Sequence, residues 1–151
     1  MPWIDVVEPY ADPPKAVGPL TEPVDNDGID HFISHHLPYL RGLGTAIIAN
    51  VAGESADEFI ALAAQIGREP GLAAVELNLS CPNVAGGIDF ATDPELTQRI
   101  VQGCRAVCPY PLIAKLTPNV HDVVRIAKAA TDGGADAVSL TNTLLGIAID
   151  W

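Results

Sequence analysis

The sequence predicts an α/β fold in which short buried strands alternate with amphipathic helices around a parallel sheet. Three observations support this prediction. Four short apolar runs recur along the 151-residue chain, with helical periodicity between one run and the next. No G-x-G-x-x-G fingerprint, which is typical of an open doubly wound sheet, follows the first run. Polar residues follow each run, as they do at the active-site end of a (β/α)8 barrel, the TIM barrel.

A complete barrel of this type takes about 250 residues, whereas this sequence predicts four strands. We therefore expect the central portion of a (β/α)8 barrel, incomplete at both ends. Residues 1–24 are predicted to be an irregular segment, because proline and acidic residues dominate this stretch and no periodicity is sustained. Residues 25–151 are predicted to form the partial barrel.

The first half of the barrel pattern contains two helices and two strands. A helix is predicted over residues 29–40, with Pro38 disturbing its end. Residues 45–50 predict a strand that is buried on both faces. The next helix begins at Ser55, which forms a capping box with Glu58. Its apolar stripe comprises Phe59, Leu62, Ala63 and Ile66, and residues 73–77 predict the second strand.

The second half repeats the same alternation. Asp93 followed by Pro94 predicts the start of a helix, with Asp93 as its N-cap. The third strand is predicted over residues 111–116, and a helix over residues 120–131 ends at the Gly133-Gly134 pair. Residues 137–140 predict the last strand. The buried face of the helix that Asp93 caps is predicted to comprise Leu96, Ile100, Cys104 and Val107.

Composition excludes several classes of partner. The net charge of −11 argues against nucleic acid, because phosphate binding requires clustered lysine and arginine. No apolar run reaches the roughly 18 residues that cross a bilayer, and the first residues lack the basic start of a signal peptide. Three cysteines without framework spacing indicate free thiols in a reducing compartment. We therefore expect a cytoplasmic protein that binds no membrane.

Cys81 is the sharpest candidate for chemistry. It lies between Asn78 and Asn83, directly after the second predicted strand. A free thiol has a pKa of about 8.5, so it can act as a general base with modest help from its surroundings. The alternative is a buried structural cysteine, which is a common fate of this residue. Position alone leaves both interpretations open.

Lys115 stands inside an apolar strand, where a lysine needs a partner. A bound anion, or an electron-rich ring that becomes anionic, provides one; a carboxylate such as Glu76 is the alternative. We favour the ligand because Lys115 lies close to the carboxyl end of its strand. Four amides also lie near strand ends, where they either bind a ligand or serve as turns and caps. These are Asn50, Asn78, Asn83 and Asn142.

Two other clusters are better explained without chemistry. Cys104 and Cys108 are four residues apart on a helix, and we expect them to pack in the core, because no further metal ligands lie near them in the sequence. His31, His35 and His36 form a helical cluster without an H-E-x-x-H motif. A solvated helix face is expected there, and no metal site is predicted.

Four segments together resemble the class 1 dihydroorotate dehydrogenases, and most of all the catalytic subunit of the NAD-linked subclass 1B. They are NVAGES at residues 50–55, ELNLSCPNV at residues 76–84, KLTPNV at residues 115–120 and LTNTLLG at residues 140–146. The resemblance covers roughly residues 26–150, with the motifs in the family's order. Residues 20–24 depart from the family's substrate loop, and the family's first and last strands have no counterpart in the sequence.

The resemblance implies an FMN enzyme on a (β/α)8 barrel that oxidises dihydroorotate to orotate in de novo pyrimidine biosynthesis. Cys81 matches the family's base, which removes the proton from C5 while a hydride leaves C6 for the flavin. The positions that match the family's substrate contacts are Asn78, Asn83, Asn142 and Thr143. Those that match its FMN contacts are Asn50, Asn78, Lys115 and the backbone of Thr141.

The same resemblance implies partners. An iron–sulfur flavoprotein subunit, carrying FAD and an iron–sulfur cluster, would pass electrons to NAD, and the full-length protein is expected to be a homo-oligomer. Two alternatives stay open. One is the flavin domain of a dihydropyrimidine dehydrogenase, which usually has histidine where Asn83 stands. The other is a non-catalytic half-barrel, and we expect the 151-residue chain alone to be inactive and colourless.

Overall fold

The computed structural model describes residues 28–80 and 90–144, which form a parallel sheet with helices packed on one face. The predicted irregular segment at residues 1–24 lies outside the described residues. In chain order the elements are α1 (Gly28–His31), a π-helical turn (Phe32–His36), α2 (Leu37–Arg41), β1 (Ile48–Val51), α3 (Ala56–Ile66), β2 (Ala74–Asn78), a 3₁₀ turn (Phe90–Thr92), α4 (Pro94–Val107), β3 (Leu112–Leu116), α5 (Val123–Asp132) and β4 (Ala137–Leu140).

The strand order follows the chain order, β1-β2-β3-β4, and all three pairings are parallel. Helix α3 packs on α4, and α4 packs on α5, so the helices follow one another in the same order. A doubly wound sheet reverses its strand order and has helices on both faces. Consecutive strands with neighbouring helices are the wall of a (β/α)8 barrel, and this confirms the predicted fold class.

The first predicted helix forms, but its irregularity differs from the prediction. The helical path continues past Pro38 to Arg41, and the distorted turn comes before the proline. The N–H of Leu37 donates to the carbonyl oxygen of Phe32, which is the wider spacing of a π-turn. Since proline lacks an N–H and its ring crowds the preceding turn, a widened turn before Pro38 lets the helix continue.

Helix starts follow local capping chemistry. Ser55 Oγ accepts the N–H of Glu58 at 3.2 Å, which is one half of the predicted capping box, whereas the Glu58 side chain accepts the N–H of Glu54 instead of that of Ser55. Asp93 Oδ1 accepts the N–H of Glu95 at 2.9 Å. The prediction for the last helix was three residues early, because Asp122 is its N-cap. Asp122 Oδ1 accepts the N–H groups of Val124 and Arg125 at 3.0 and 3.1 Å, so helical hydrogen bonding begins only there.

The core lies between the sheet and its helices. Alternate strand residues such as Val75, Leu77 and Ala114 face the helices and are buried. Two predictions of burial are wrong, one for Val107 and one for strand β1. Val107 is 41% exposed, because it lies in the last turn of α4, beyond the buried stripe. Strand β1 is buried on one face only, since the residues facing away from the helices are open and Ile48 is 42% exposed.

The face of the sheet turned away from the helices carries a group of polar side chains. Because paired residues of parallel strands point to the same side, the register puts five polar side chains on this face: Asn50, Glu76, Asn78, Lys115 and Ser139. We call it the inner face, since it corresponds to the inside of a barrel. Across residues 28–80 and 90–144, the helices are all too short or too polar to span a membrane.

Candidate active site

Asn142 ties together the loops that follow β2 and β4. Its amide nitrogen donates to Asn78 Oδ1 at 3.2 Å and to the carbonyl oxygen and Oγ of Ser80, both at 3.0 Å. Its Oδ1 accepts the N–H of Thr143 at 2.8 Å. The backbone N–H of Asn142 donates to Leu116 O at 3.0 Å, which extends the β3–β4 pairing past the end of β4. Residues 62 and 64 positions apart are thus held at one edge of the sheet.

The loop after β3 joins the same network. Asn119 donates its backbone N–H and its amide nitrogen to Thr117 Oγ1 at 3.2 and 3.1 Å. The same amide nitrogen donates to Thr143 O at 2.8 Å. Thr117 is buried, so its hydroxyl is fixed in position and anchors these contacts. Loops from three successive strands therefore meet at the carboxyl edge, where barrel enzymes have their active sites.

Asn78 presents one end of its amide to the inner face. Its Oδ1 is occupied by Asn142, and within the described residues its Nδ2 has no acceptor. Lys115 lies directly opposite Asn78 in the β2–β3 register, so two donors stand side by side. An amide and an ammonium with hydrogen atoms to donate suit a ligand rich in acceptor oxygens or nitrogens.

Lys115 has no carboxylate partner within the described residues, although it is partly buried. The predicted alternative partner, Glu76, is occupied elsewhere. Its Oε2 accepts Asn50 Nδ2 at 2.5 Å, and its Oε1 accepts Ser139 Oγ at 2.7 Å. A half-buried ammonium without a counter-charge favours a bound anion. The residues present therefore fit a ligand that carries or acquires negative charge.

The predicted site residues divide into three groups. Asn78, Asn142 and Thr143 are joined by direct hydrogen bonds, and Lys115 lies beside Asn78. Asn50 lies one row away on the same inner face, bonded to Glu76, and Thr141 directly follows β4 and is exposed. Cys81 and Asn83 lie outside the described residues. Ser80, which directly precedes Cys81, is held through two of its oxygens.

Four polar residues of this edge were missed by the sequence reasoning: Ser80, Thr117, Asn119 and Ser139. The first three stand in segments that were already singled out, so the signal was present and only their partners were unknown. Ser139 carried no local signal, because its role depends on the register of β4 against β3.

The structure agrees with the prediction for the cysteine pair and only in part for the histidine cluster. Cys104 and Cys108 are free thiols buried in the core, as predicted. His35 and His36 are exposed, as expected of a solvated face, whereas His31 is half-buried and its ring stacks on His35 with centroids 4.2 Å apart. Among residues 28–80 and 90–144, no three His, Cys, Asp or Glu side chains cluster closely enough to hold a metal ion.

A surface depression elsewhere on the molecule carries none of the predicted site residues. It lies between the carboxyl ends of α3 and α4, next to Gly67, Arg68 and Arg105. Arg105 is engaged by the carbonyl oxygens of Cys108 and Tyr110, so its role there is structural. We assign the site to the carboxyl edge of the sheet, where the hydrogen-bonded amides converge.

Comparisons with known proteins identify the family of the chain. A family model described as dihydroorotate dehydrogenase matches residues 23–151. The dihydroorotate dehydrogenase B (NAD(+)) catalytic subunit of Listeria welshimeri is 45% identical over 128 residues, covering 84% of this chain and 42% of the relative. The subunit of the same name from Alkaliphilus metalliredigens is 44% identical over 146 residues, covering 96% of this chain and 46% of the relative.

The chain thus spans less than half the length of these curated relatives. The Alkaliphilus alignment of 146 residues also includes part of residues 1–24, which the family model leaves out up to residue 22. A domain boundary after residue 24 stays a prediction.

Proposed function

This chain belongs to the dihydroorotate dehydrogenase family, and we propose that the protein containing it oxidises dihydroorotate to orotate in pyrimidine biosynthesis. The observation that carries the proposal is the network at the carboxyl edge, in which Asn142 holds Asn78 and Ser80. These contacts hold the residue directly before Cys81 beside the amides that would contact the substrate.

Cys81 is the proposed general base. Its thiolate takes the proton from C5 of dihydroorotate as the C5–C6 double bond forms, and it becomes a thiol. The anchoring of Ser80 by Asn142 supports this role, because a base must be held within hydrogen-bond reach of the proton it abstracts.

The substrate contacts are proposed for Asn78, Asn83, Asn142 and Thr143. The amide nitrogen of Asn78 has no acceptor among residues 28–80 and 90–144, which supports this assignment, since dihydroorotate is rich in carbonyl and carboxylate oxygens. Both ends of the Asn142 amide form hydrogen bonds with protein groups. We expect its main contribution to be the orientation of Asn78, with substrate contact requiring one of these hydrogen bonds to be exchanged.

FMN is the proposed cofactor, and when bound it supplies the acceptor for the hydride that leaves C6. Asn50, Asn78, Lys115 and the backbone of Thr141 would hold it. Lys115 on the inner face has no carboxylate partner in the described part of the chain, which supports this assignment, because an ammonium stabilises a ring that becomes anionic. The polar inner face thus fits a ring system with several hydrogen-bonding atoms.

The relatives' names include NAD(+) and the words catalytic subunit, which supports a partner subunit for this protein. We propose that the partner is an iron–sulfur flavoprotein, carrying FAD and an iron–sulfur cluster, which passes electrons to NAD. A homo-oligomer of the full-length protein and a cytoplasmic location are part of the same proposal.

The test uses the protein expressed from the complete reading frame that contains this chain. Orotate formation is measured with dihydroorotate and an artificial electron acceptor, and bound flavin is quantified by its absorbance. In Cys81→Ser we expect the rate to fall by about 10²–10⁴-fold, since that is the usual contribution of a positioned general base. Flavin content should be unchanged, because the hydroxyl replaces the thiol with little change in volume.

Cys108→Ala is the matched control, because it removes a buried thiol remote from the carboxyl edge. It should retain the parent rate. A Cys81→Ser protein with parental activity would remove the proposed base. A parent protein that acts on uracil and not on dihydroorotate would overturn the proposed function and favour a dihydropyrimidine dehydrogenase.

A further inference from the structure

Glu76 is the carboxylate of strand β2, and no role in the proposed reaction accounts for it. It lies on the inner face of β2, two residues before Asn78, and is partly buried. Both of its oxygens are occupied by neutral donors from other strands. Oε2 accepts from Asn50 on β1 at 2.5 Å, and Oε1 accepts from Ser139 on β4 at 2.7 Å.

This contact determines which end of the Asn50 amide faces Glu76. A carboxylate accepts hydrogen bonds and donates none, so the NH₂ group of Asn50 must be the end that faces it. The carbonyl Oδ1 of Asn50 is then directed away from Glu76. The two ends of an asparagine amide are nearly identical in shape, so packing alone does not decide between them. The carboxylate of Glu76 therefore determines the orientation of the Asn50 amide.

The hydrogen bond from Ser139 holds the Glu76 carboxylate in the position from which it contacts Asn50. Lys115, the neighbour of Ser139 in the β3–β4 register, makes no salt bridge with Glu76. Because Ser139 donates to Oε1, the carboxylate is held by a neutral group. The positive charge of Lys115 therefore stays available to a ligand.

We propose that Glu76 is a positioning residue for the cofactor: it orients the Asn50 amide so that Oδ1 accepts a hydrogen bond from the FMN ring. The inference rests on the proposed function, since it takes FMN as the ligand of the inner face. Glu76 itself touches neither substrate nor cofactor; it acts through Asn50.

The experiment compares Glu76→Gln with the parent in the protein from the complete reading frame. FMN is removed, and the apoprotein is titrated with FMN while flavin fluorescence quenching is followed. The glutamine amide keeps the size of Glu76 but can donate, so Asn50 is free to reverse. We expect the dissociation constant for FMN to rise about tenfold, which corresponds to about 1.4 kcal/mol.

A double-mutant cycle separates positioning from a general structural effect. In an Asn50→Ala background there is no amide to orient, so Glu76→Gln should leave the FMN dissociation constant within about twofold of that of Asn50→Ala alone. Asp57→Asn is the matched control, because it makes the same carboxylate-to-amide change at an exposed position of α3. It should bind FMN as the parent does.

Two results would overturn the inference. One is a parental FMN dissociation constant in Glu76→Gln. The other is an equal loss of affinity from Glu76→Gln with and without the Asn50 amide, which would indicate that Glu76 only stabilises the sheet. A parent protein that binds no FMN would instead contradict the proposed function, so the two failures are distinguishable.

Discussion

At the scale of single residues, the clearest contrast is between two kinds of cysteine. Cys104 is fully buried among the apolar side chains of the core, with Cys108 one helical turn away. Burial, with a smaller contribution from Cys108, raises the pKa of the Cys104 thiol from 9.0 to about 12. Such a thiol is chemically inert near neutral pH. We therefore propose that Cys81, which follows the anchored Ser80, takes part in the chemistry rather than Cys104.

The raised pKa of Cys104 predicts a loss of stability in alkali. In the unfolded chain the thiol ionises above its ordinary pKa of 9.0, whereas in the folded protein it stays protonated until about pH 12. Unfolding therefore releases a proton in this window, so the stabilisation is complete below pH 9.0 and declines as the pH rises towards 12.

The measurement is the urea midpoint at a series of pH values from neutral to strongly alkaline. Cys104→Ala should lower stability at neutral pH through lost packing, yet show a shallower alkaline decline than the parent. Parallel pH profiles for the two proteins would contradict the assignment.

At the scale of elements, two glycines let neighbouring helices approach closely, and the structure distinguishes them. A Cβ on Gly133 would lie 2.7 Å from the backbone oxygen of Gln98, at the contact between α5 and α4. A Cβ on Gly103 would approach the Cδ1 atom of Ile60 on α3 even more closely, at 2.4 Å. The first neighbour is backbone within a helix, whereas the second is the tip of a side chain that can change rotamer.

The two alanine substitutions are therefore expected to differ. Gly133→Ala should destabilise the protein by about 1–3 kcal/mol, because the α4 backbone must shift to relieve the overlap. Gly103→Ala should be nearly neutral, because Ile60 can move and alanine favours a helix interior by about 1 kcal/mol over glycine. Denaturant unfolding of both variants makes the comparison. A larger loss in Gly103→Ala would show that Ile60 cannot yield.

At the scale of the whole molecule, β1 and β4 each pair with one strand within the described residues. Both strands carry open apolar side chains, with Ile48 42% and Leu140 60% exposed. Strand edges of this kind pair readily with other chains. We therefore expect the 151-residue chain, expressed by itself, to associate into oligomers or aggregates and to retain no FMN.

Size-exclusion chromatography with light scattering, together with flavin absorbance, tests this expectation. The protein from the complete reading frame is the reference, and it should elute as a defined species that carries flavin. A monomeric 151-residue chain with stoichiometric FMN would contradict the prediction.

Local patterns along the chain suffice to predict the order of the elements, the fold class and the segments in which chemistry is expected. These features depend on neighbours along the chain. Apolar runs, N-caps such as Ser55 and Asp93 and the stop at Gly133 act within a few residues, so they can be recognised without the fold. The local pattern placed the start of α5 three residues early, because it did not identify Asp122 as the N-cap of the helix.

Which polar groups contact one another becomes known only from the assembled sheet. Asn142 reaches Ser80 across 62 residues, and Glu76 reaches Ser139 across 63. Both contacts depend on the register between strands, which is a property of the assembled sheet. The same register places Glu76 between two neutral donors and leaves Lys115 without a carboxylate among the described residues. The chain order contains these residues, but only strand pairing brings their charges and amides to one edge of the sheet.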